Sequence, residues 1–249
     1  HATTKFAHIH FPATVEAAKR IYNLGEDKKR IFMVGCPRID LIKNQLERKG
    51  FNITKFDKVI FNSGVGNKFS LSDDFILVSQ HPVTTEYSKS DIQILNTLNA
   101  VKKTKLNAII LWPNADAGSD KLSAAIRKFR EKNQKINFYY IKNLSNKDYI
   151  RLMSLTQCLV GNSSSAIRDG AFIGTPAVNI GSRQNNREKG KNVINVDYNI
   201  INIFNAITTQ IKIKKFKKDY LYGNGNAAKK ILKIILGLNK VNIQKKIRY

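Results

Sequence analysis

The sequence predicts an α/β fold in which a parallel sheet carries helices on both faces. Short apolar runs bounded by turn residues alternate with helical stretches of about 10–15 residues, which is the pattern of strand–helix–strand units. The chain has 249 residues, enough for one large domain or about two ordinary ones. Hydrophobic residues make up 42% of it, which supplies a core and excludes wholesale disorder.

The first elements form a less regular part of the pattern. Residues 1–11 show strand-like alternation with no opening turn, so we expect the chain to be a fragment. A helix is predicted over about 14–24, with a threonine to cap its start and a glycine to end it. A buried apolar strand follows over 31–35, and a proline in a first helical turn then opens a helix over about 37–49.

The remaining elements alternate more regularly. Short apolar runs predict strands over 75–79, 108–112, 137–141, 158–161 and 177–180. Longer amphipathic segments predict helices over about 86–103, 119–133, 147–156, 164–173, 199–211 and 226–238.

The formal charge is +25, from 43 Lys and Arg against 18 Asp and Glu. Such an excess can indicate nucleic-acid binding. The basic residues are scattered along the whole chain, with dense runs only over 212–218 and in a tail over 240–249. No RRM, KH, zinc-finger or helix-turn-helix pattern is present. We therefore expect solvated charge and no specific nucleic-acid partner, and contact with an anionic membrane or polymer stays an alternative.

Membrane spans, disulfides and metals are not indicated. No apolar run approaches the ~20 residues that a membrane span needs. Cys36 and Cys158 cannot staple a chain of this size, which fits a reducing compartment, so we expect a cytoplasmic protein. His8 and His10 alternate in sequence without an acidic or cysteine partner, which makes a poor metal site. We expect no metal and no redox cofactor.

Polar residues follow the predicted strands, at the edge of a parallel sheet where ligands bind. His81 follows one strand, where an imidazole can donate to a phosphate or act as a general acid near neutral pH. The alternative is a loop histidine satisfied by a backbone carbonyl. Asn114 and Asp116 follow the next strand and offer amide and carboxylate groups, but the same residues suit an ordinary Asx-rich turn before a helix.

The most informative segment is a glycine and small polar residues between a strand and a helix. There, Ser163 and Ser164 let a phosphate approach the N–H groups of a helix start. Asp169, about one and a half turns into that helix, could accept two hydrogen bonds from ribose hydroxyls. The alternative is a serine N-cap on a core helix. Arg183 follows the next strand and could reach a diphosphate, unless it belongs to a solvated basic loop.

Taken in order, these segments resemble the hydrolysing UDP-N-acetylglucosamine 2-epimerases of sialic-acid biosynthesis. They are also similar to relatives that act on N,N'-diacetylbacillosamine nucleotides on the way to legionaminic acid. The resemblance covers about residues 1–236. It rests on the strings Gln-His-Pro-Val-Thr-Thr-Glu, Trp-Pro-Asn-Ala-Asp-Ala-Gly-Ser-Asp, Val-Gly-Asn-Ser-Ser-Ser, Asn-Ile-Gly-Ser-Arg-Gln and Tyr-Gly-Asn-Gly-Asn-Ala.

The resemblance implies a glycosyltransferase-B-like fold, with two Rossmann-like domains. Residues 1–66 would be the tail end of the amino-terminal domain, and 67–218 the nucleotide-binding domain. Residues 219–249 would be a crossing helix and a basic tail. The implied site roles are a diphosphate contact with assistance to catalysis (His81), nucleotide-pocket contact (Asn114), phosphate binding (Ser163 and Ser164), ribose binding (Asp169) and a basic contact (Arg183).

The resemblance also implies a reaction. The C2 proton of the sugar is removed, UDP leaves C1, and water adds to give the 2-epimer, of N-acetylmannosamine type. The family's acid–base carboxylates precede the matched segment, so we expect this chain to bind a UDP-sugar weakly without turnover, and the full-length protein to be a homodimer. A GDP-sugar substrate stays open. The alternatives are a glycosyltransferase of the same fold and a non-catalytic nucleotide-sugar-binding module.

Overall fold

A computed structural model describes residues 1–238 and 244–245. The chain divides into two compact units. The terminal unit comprises His1–Glu47 with Asp219–Tyr249, and the sheet unit comprises Arg48–Lys218. The structure therefore groups residues 48–66 with the sheet, whereas the sequence-based division was drawn after residue 66. The reason is that a short strand over Gly64–Gly66 joins the sheet.

The sheet unit is built on one sheet with seven described strands in the order β1-β4-β3-β2-β5-β6-β7. All neighbouring strands are parallel except β1, which pairs antiparallel with β4. The strands are β1 Gly64–Gly66, β2 Phe75–Ser79, β3 Asn107–Leu111, β4 Phe138–Ile141, β5 Cys158–Gly161, β6 Ala177–Ile180 and β7 Val193–Val196.

Helices surround this sheet and make up much of the terminal unit. The described part of the chain holds no helix with the length and hydropathy of a bilayer-crossing segment. The helices are α1 Ala2–Phe6, α2 Val15–Asn23, α3 Pro37–Glu47, α4 Ile53–Ile60, α5 Ser90–Lys103, α6 Ser119–Lys132, α7 Asn146–Leu155, α8 Ser164–Ile173, α9 Ile200–Ile213 and α10 Ala227–Leu236. A 3-10 turn over Tyr87–Lys89 precedes α5, so the predicted start at 86 is not α-helical.

The five regular strands predicted over 75–180 are confirmed as β2 to β6. Two expectations for the terminal unit are wrong. Residues 2–6 form a helix, and 31–35 form no strand because only Ile31 bridges a neighbour, His10. The predicted basic tail lies outside the described residues except at 244–245.

The main core lies between one face of the sheet and helices α5, α6 and α9. Val78, Ile110, Val160 and Val178 point into it from neighbouring strands. Side chains alternate between the two faces of a strand, and the intervening residues are buried as well, as Leu77 shows. Burial on both faces explains why these strands are continuous apolar runs.

The order of the strands places a connectivity switch between β2 and β5. From β2 the chain moves outward through β3 and β4, then returns to the other side of β2 as β5 and continues through β6 to β7. In open parallel sheets, ligands bind outside the carboxyl ends of the strands at such a switch. The loops after β2 and β5 are those that carry His81 and the serine-rich segment.

Polar contacts link distant segments of the terminal unit. Glu26, almost fully buried, accepts from His10 Nε2 at 3.0 Å and pairs with Lys245 Nζ at 2.6 Å. Asp40 caps the start of α10, accepting from the amides of Ala227 at 3.0 Å and Ala228 at 2.7 Å. These contacts join the beginning of the chain to its end within this unit.

Candidate functional site

Asn162 connects three loops at the carboxyl edge of the sheet. It follows β5 directly and is 1% exposed. Its Oδ1 accepts the His81 backbone N–H at 2.7 Å, and its Nδ2 donates to the His81 carbonyl at 2.8 Å. Its own carbonyl accepts from Arg183 Nη1 at 3.3 Å and from Gln184 Nε2 at 2.8 Å. The loops after β2 and β6 are therefore tied to the end of β5.

A glycine makes this close approach of the loops possible. Gly161 has φ +133°, a region that side chains rarely adopt, and it pairs with Ser79 of β2. A Cβ on Gly161 would lie 2.2 Å from the Ser79 carbonyl oxygen. The turn from β5 towards α8 can thus follow this path only with glycine at 161.

His81 is held as a neutral hydrogen-bond donor. Its side chain is mostly buried, and its Nδ1 accepts the backbone N–H of Asn114 at 3.2 Å, which leaves the proton on Nε2. Burial and the nearby Arg183 guanidinium lower the pKa of His81 to about 4, although Asp116 opposes this. This geometry therefore favours donation from Nε2 over general-acid catalysis by an imidazolium at neutral pH.

The positive charge of Arg183 is oriented but accessible. Its Nη2 lies 3.6 Å from Asp116 Oδ2, and its side chain is 29% exposed.

A second link between the loops runs through Glu86, which accepts from the Ser182 hydroxyl and from Gln93 Nε2, the latter at 2.7 Å. The bond from Ser182 is the main reason that the pKa of Glu86 lies below its usual range. Glu86 is thus an anchored carboxylate.

Helix α8 begins beside this network. Ser163 is its N-cap, and its Oγ accepts the Ser165 N–H at 3.4 Å, as the core-helix alternative anticipates. The hydroxyls of Ser163 and Ser165 lie 2.8 Å apart, and Tyr149 bonds to Ser165 at 2.5 Å. Burial raises the pKa of Tyr149, so this hydroxyl stays protonated. The Ser163 cap does not prevent the start of α8 from binding an anion, because a helix start has several N–H groups without intrahelical partners.

Three of the six predicted residues belong to one bonded network: His81 bonds directly to Asn114, and Arg183 is linked to His81 through Asn162. Asn114 contributes its backbone, and its side chain is exposed. Ser163 and Ser164 adjoin Asn162 at the start of α8. The sixth, Asp169, is 1% exposed in α8, and its Oδ1 lies 2.9 Å from Arg168 Nε.

Sequence reasoning assigned no role to the residues that join the loops. Asn162 lies inside a quoted motif, but its local sequence indicates only a turn, because its partners are 21, 22 and 81 residues away. Glu86 ends another motif, and its partner Ser182 is remote in sequence. Within residues 1–238 and 244–245, no group of three His, Cys, Asp or Glu side chains could hold a metal ion.

A family model described as UDP-N-acetylglucosamine 2-epimerase matches residues 1–236. The chain belongs to the UDP-N-acetylglucosamine 2-epimerase family. It is 30% identical over 235 residues to UDP-N,N'-diacetylbacillosamine 2-epimerase (hydrolyzing) of Legionella pneumophila, covering 94% of this chain and 59% of that protein. It is 27% identical over 226 residues to UDP-N-acetylglucosamine 2-epimerase of Neisseria meningitidis serogroup B, covering 91% and 56%. The chain thus spans less than two thirds of either epimerase.

The fold of this epimerase-family chain also matches a solved relative. The UDP-GlcNAc 2-epimerase from Neisseria meningitidis, crystallised with UDP-GlcNAc, gives a TM-score of 0.74 at 16% identity. The match covers 94% of this chain and 62% of that one. It shows the fold: α/β, Rossmann-like and of the glycosyltransferase-B type, as the family resemblance implies.

Proposed function

We propose that this chain carries the diphosphate-binding part of a hydrolysing 2-epimerase that acts on UDP-N-acetylglucosamine or on a UDP- or GDP-linked diacetylbacillosamine. One observation carries the proposal: His81 and Arg183 are both bonded to Asn162, at the connectivity switch and beside the start of α8. A neutral N–H donor, a guanidinium and the start of a helix form a set that suits a diphosphate.

These residues would assist departure of the nucleotide. Expelling a nucleoside diphosphate from C1 develops negative charge on the leaving phosphate, and preorganised donors stabilise that charge. Arg183 would pair with phosphate oxygens, His81 would donate from Nε2, and Ser163 and Ser164 would frame the helix start. Asp169 would hold the ribose. The C2 proton is then lost and water adds, which gives free UDP or GDP and the 2-epimer.

We infer that binding and turnover are separable in this chain. The three carboxylates among the site residues all have partners: Glu86 bonds to Ser182 and Gln93, Asp116 pairs with Arg183, and Asp169 pairs with Arg168. We therefore assign none of them as the base for the C2 proton. We expect the 249-residue chain to bind UDP and to release none from UDP-N-acetylglucosamine. Steady release of UDP by the purified chain would contradict the inference that this chain binds UDP without turnover.

Calorimetry with UDP tests the proposed function. Wild-type chain should bind UDP, and Arg183→Ala should weaken binding by about tenfold or more, because a charge-assisted hydrogen bond contributes ~1.5–3 kcal/mol. Arg187→Ala is the matched control, since Arg187 is exposed in the same loop and its loss removes the same charge.

The two variants separate a specific site from general attraction. Arg187→Ala should leave UDP affinity within about twofold of wild type, because exposed charges contribute little. Equal losses in both variants would mean that UDP responds to net charge alone. Failure of the wild-type chain to bind either UDP or GDP would refute the proposed function.

A further inference from the structure

We propose that Asn162 is a positioning residue of this site. It holds His81 and Arg183 in the relative positions from which both can contact one diphosphate. The proposal rests on the function proposed above and deepens it. Asn162 needs no contact with the ligand for this role. Its side chain holds the loop after β2, and its main chain holds the loop after β6.

The side-chain amide of Asn162 matches the backbone of one residue. It offers one acceptor and one donor, and the two bond to the N–H and the carbonyl of His81 at 2.7 and 2.8 Å. Two bonds to one residue fix both its position and its rotation. The pair is buried, so water competes weakly for these bonds. Alanine at 162 would leave both backbone groups of His81 without this partner.

The orientation of the His81 ring depends on the two hydrogen bonds between the Asn162 side chain and the His81 backbone. With the backbone fixed, Nδ1 meets the Asn114 N–H at 3.2 Å and the proton remains on Nε2. If the backbone of His81 turned, that bond would break and the imidazole could exchange between its two neutral forms. Asn162 therefore acts on the ligand through the tautomer and direction of a second residue.

The carbonyl of Asn162 aligns the opposite side of the site. It accepts from Arg183 and Gln184, and α8 begins two residues later at Ser164. One residue thus relates the imidazole, the guanidinium and the helix start to each other. In contrast, Gln210 is an equally buried amide that donates to the carbonyls of Ala177 and Asn192, at the amino ends of β6 and β7.

The test compares Asn162→Ala with Gln210→Ala as the matched control. Each change removes a buried amide that makes two backbone bonds, so both should destabilise the fold. We expect Asn162→Ala to weaken UDP binding by about tenfold or more, and Gln210→Ala to leave it within about twofold. If Asn162→Ala folds poorly, Asn162→Ser retains a hydroxyl that can make one of the two bonds and should give an intermediate loss.

The nitrogen chemical shifts of the His81 ring report its tautomer, which a loss of fold stability alone would not change. Wild type and Gln210→Ala should show the single neutral form with the proton on Nε2, and Asn162→Ala should show averaging between the two forms. Normal UDP affinity together with an unchanged His81 tautomer in Asn162→Ala would overturn the proposal. In that case the proposed function would stand, because the Arg183 and Arg187 pair tests it separately.

Discussion

At the scale of single residues, the protonation of His81 is the property most open to a direct test. Burial and Arg183 lower its pKa from 6.5 to about 4, so the native chain binds no proton there over that interval whereas the unfolded chain does. Stability should therefore fall as pH drops from about 6.5 towards 4. An NMR titration should show a His81 midpoint near 4.

Two variants check that this signal belongs to His81. His81→Gln should remove the low titration and reduce the loss of stability between about pH 6.5 and 4. His8→Gln removes a histidine from the terminal unit and should leave the low midpoint unchanged. A midpoint near 6.5 in the wild type would mean that His81 is not held as the structure shows.

The chemistry of these residues could be predicted only in part from sequence. Position after a strand predicts that His81 and Arg183 lie at one edge of the sheet, because parallel strands end together, but it leaves their roles open. It could not reveal that Asn114 acts through its backbone, or that Asn162 joins the loops. Both effects depend on contacts between distant segments, such as the 81 residues that separate His81 from Asn162.

At the scale of elements, the turn between β5 and α8 depends on Gly161. Alanine there would meet the Ser79 carbonyl at 2.2 Å, and it would also sit at φ +133°. We expect Gly161→Ala to destabilise the chain by about 3 kcal/mol or more in urea unfolding and to weaken UDP binding.

Gly50 supplies the control for backbone strain without a clash. It has φ +78°, and a Cβ there would meet nothing within 4 Å. Gly50→Ala should cost only about 1–2 kcal/mol, the penalty for a left-handed backbone. Equal costs at the two glycines would show that β2 and β5 are not packed as closely as described.

Elements were predictable where the apolar pattern was long enough. Strands β2 to β6 are buried runs and were found, but β1 contributes a single apolar side chain, Val65, and carries no such pattern. Residues 31–35 are largely apolar yet form no strand, because their pairing with the segment near His10 and Pro12 amounts to one isolated bridge. An apolar run therefore does not by itself make a strand, which also requires a partner of sufficient length.

At the scale of the whole molecule, general attraction of anions by the net charge of +25 must be distinguished from binding of UDP at the proposed site. One-to-one pairing with the 18 Asp and Glu would still leave an excess of cations that attracts any polyanion. We expect duplex DNA to bind weakly in a filter assay and to lose affinity by about tenfold or more between about 50 and 200 mM salt. UDP, held by directional bonds from Arg183 and His81, should lose much less over that range. Tight DNA binding that persists at the higher salt would show specific nucleic-acid recognition and refute the assignment of this charge to solvated surface.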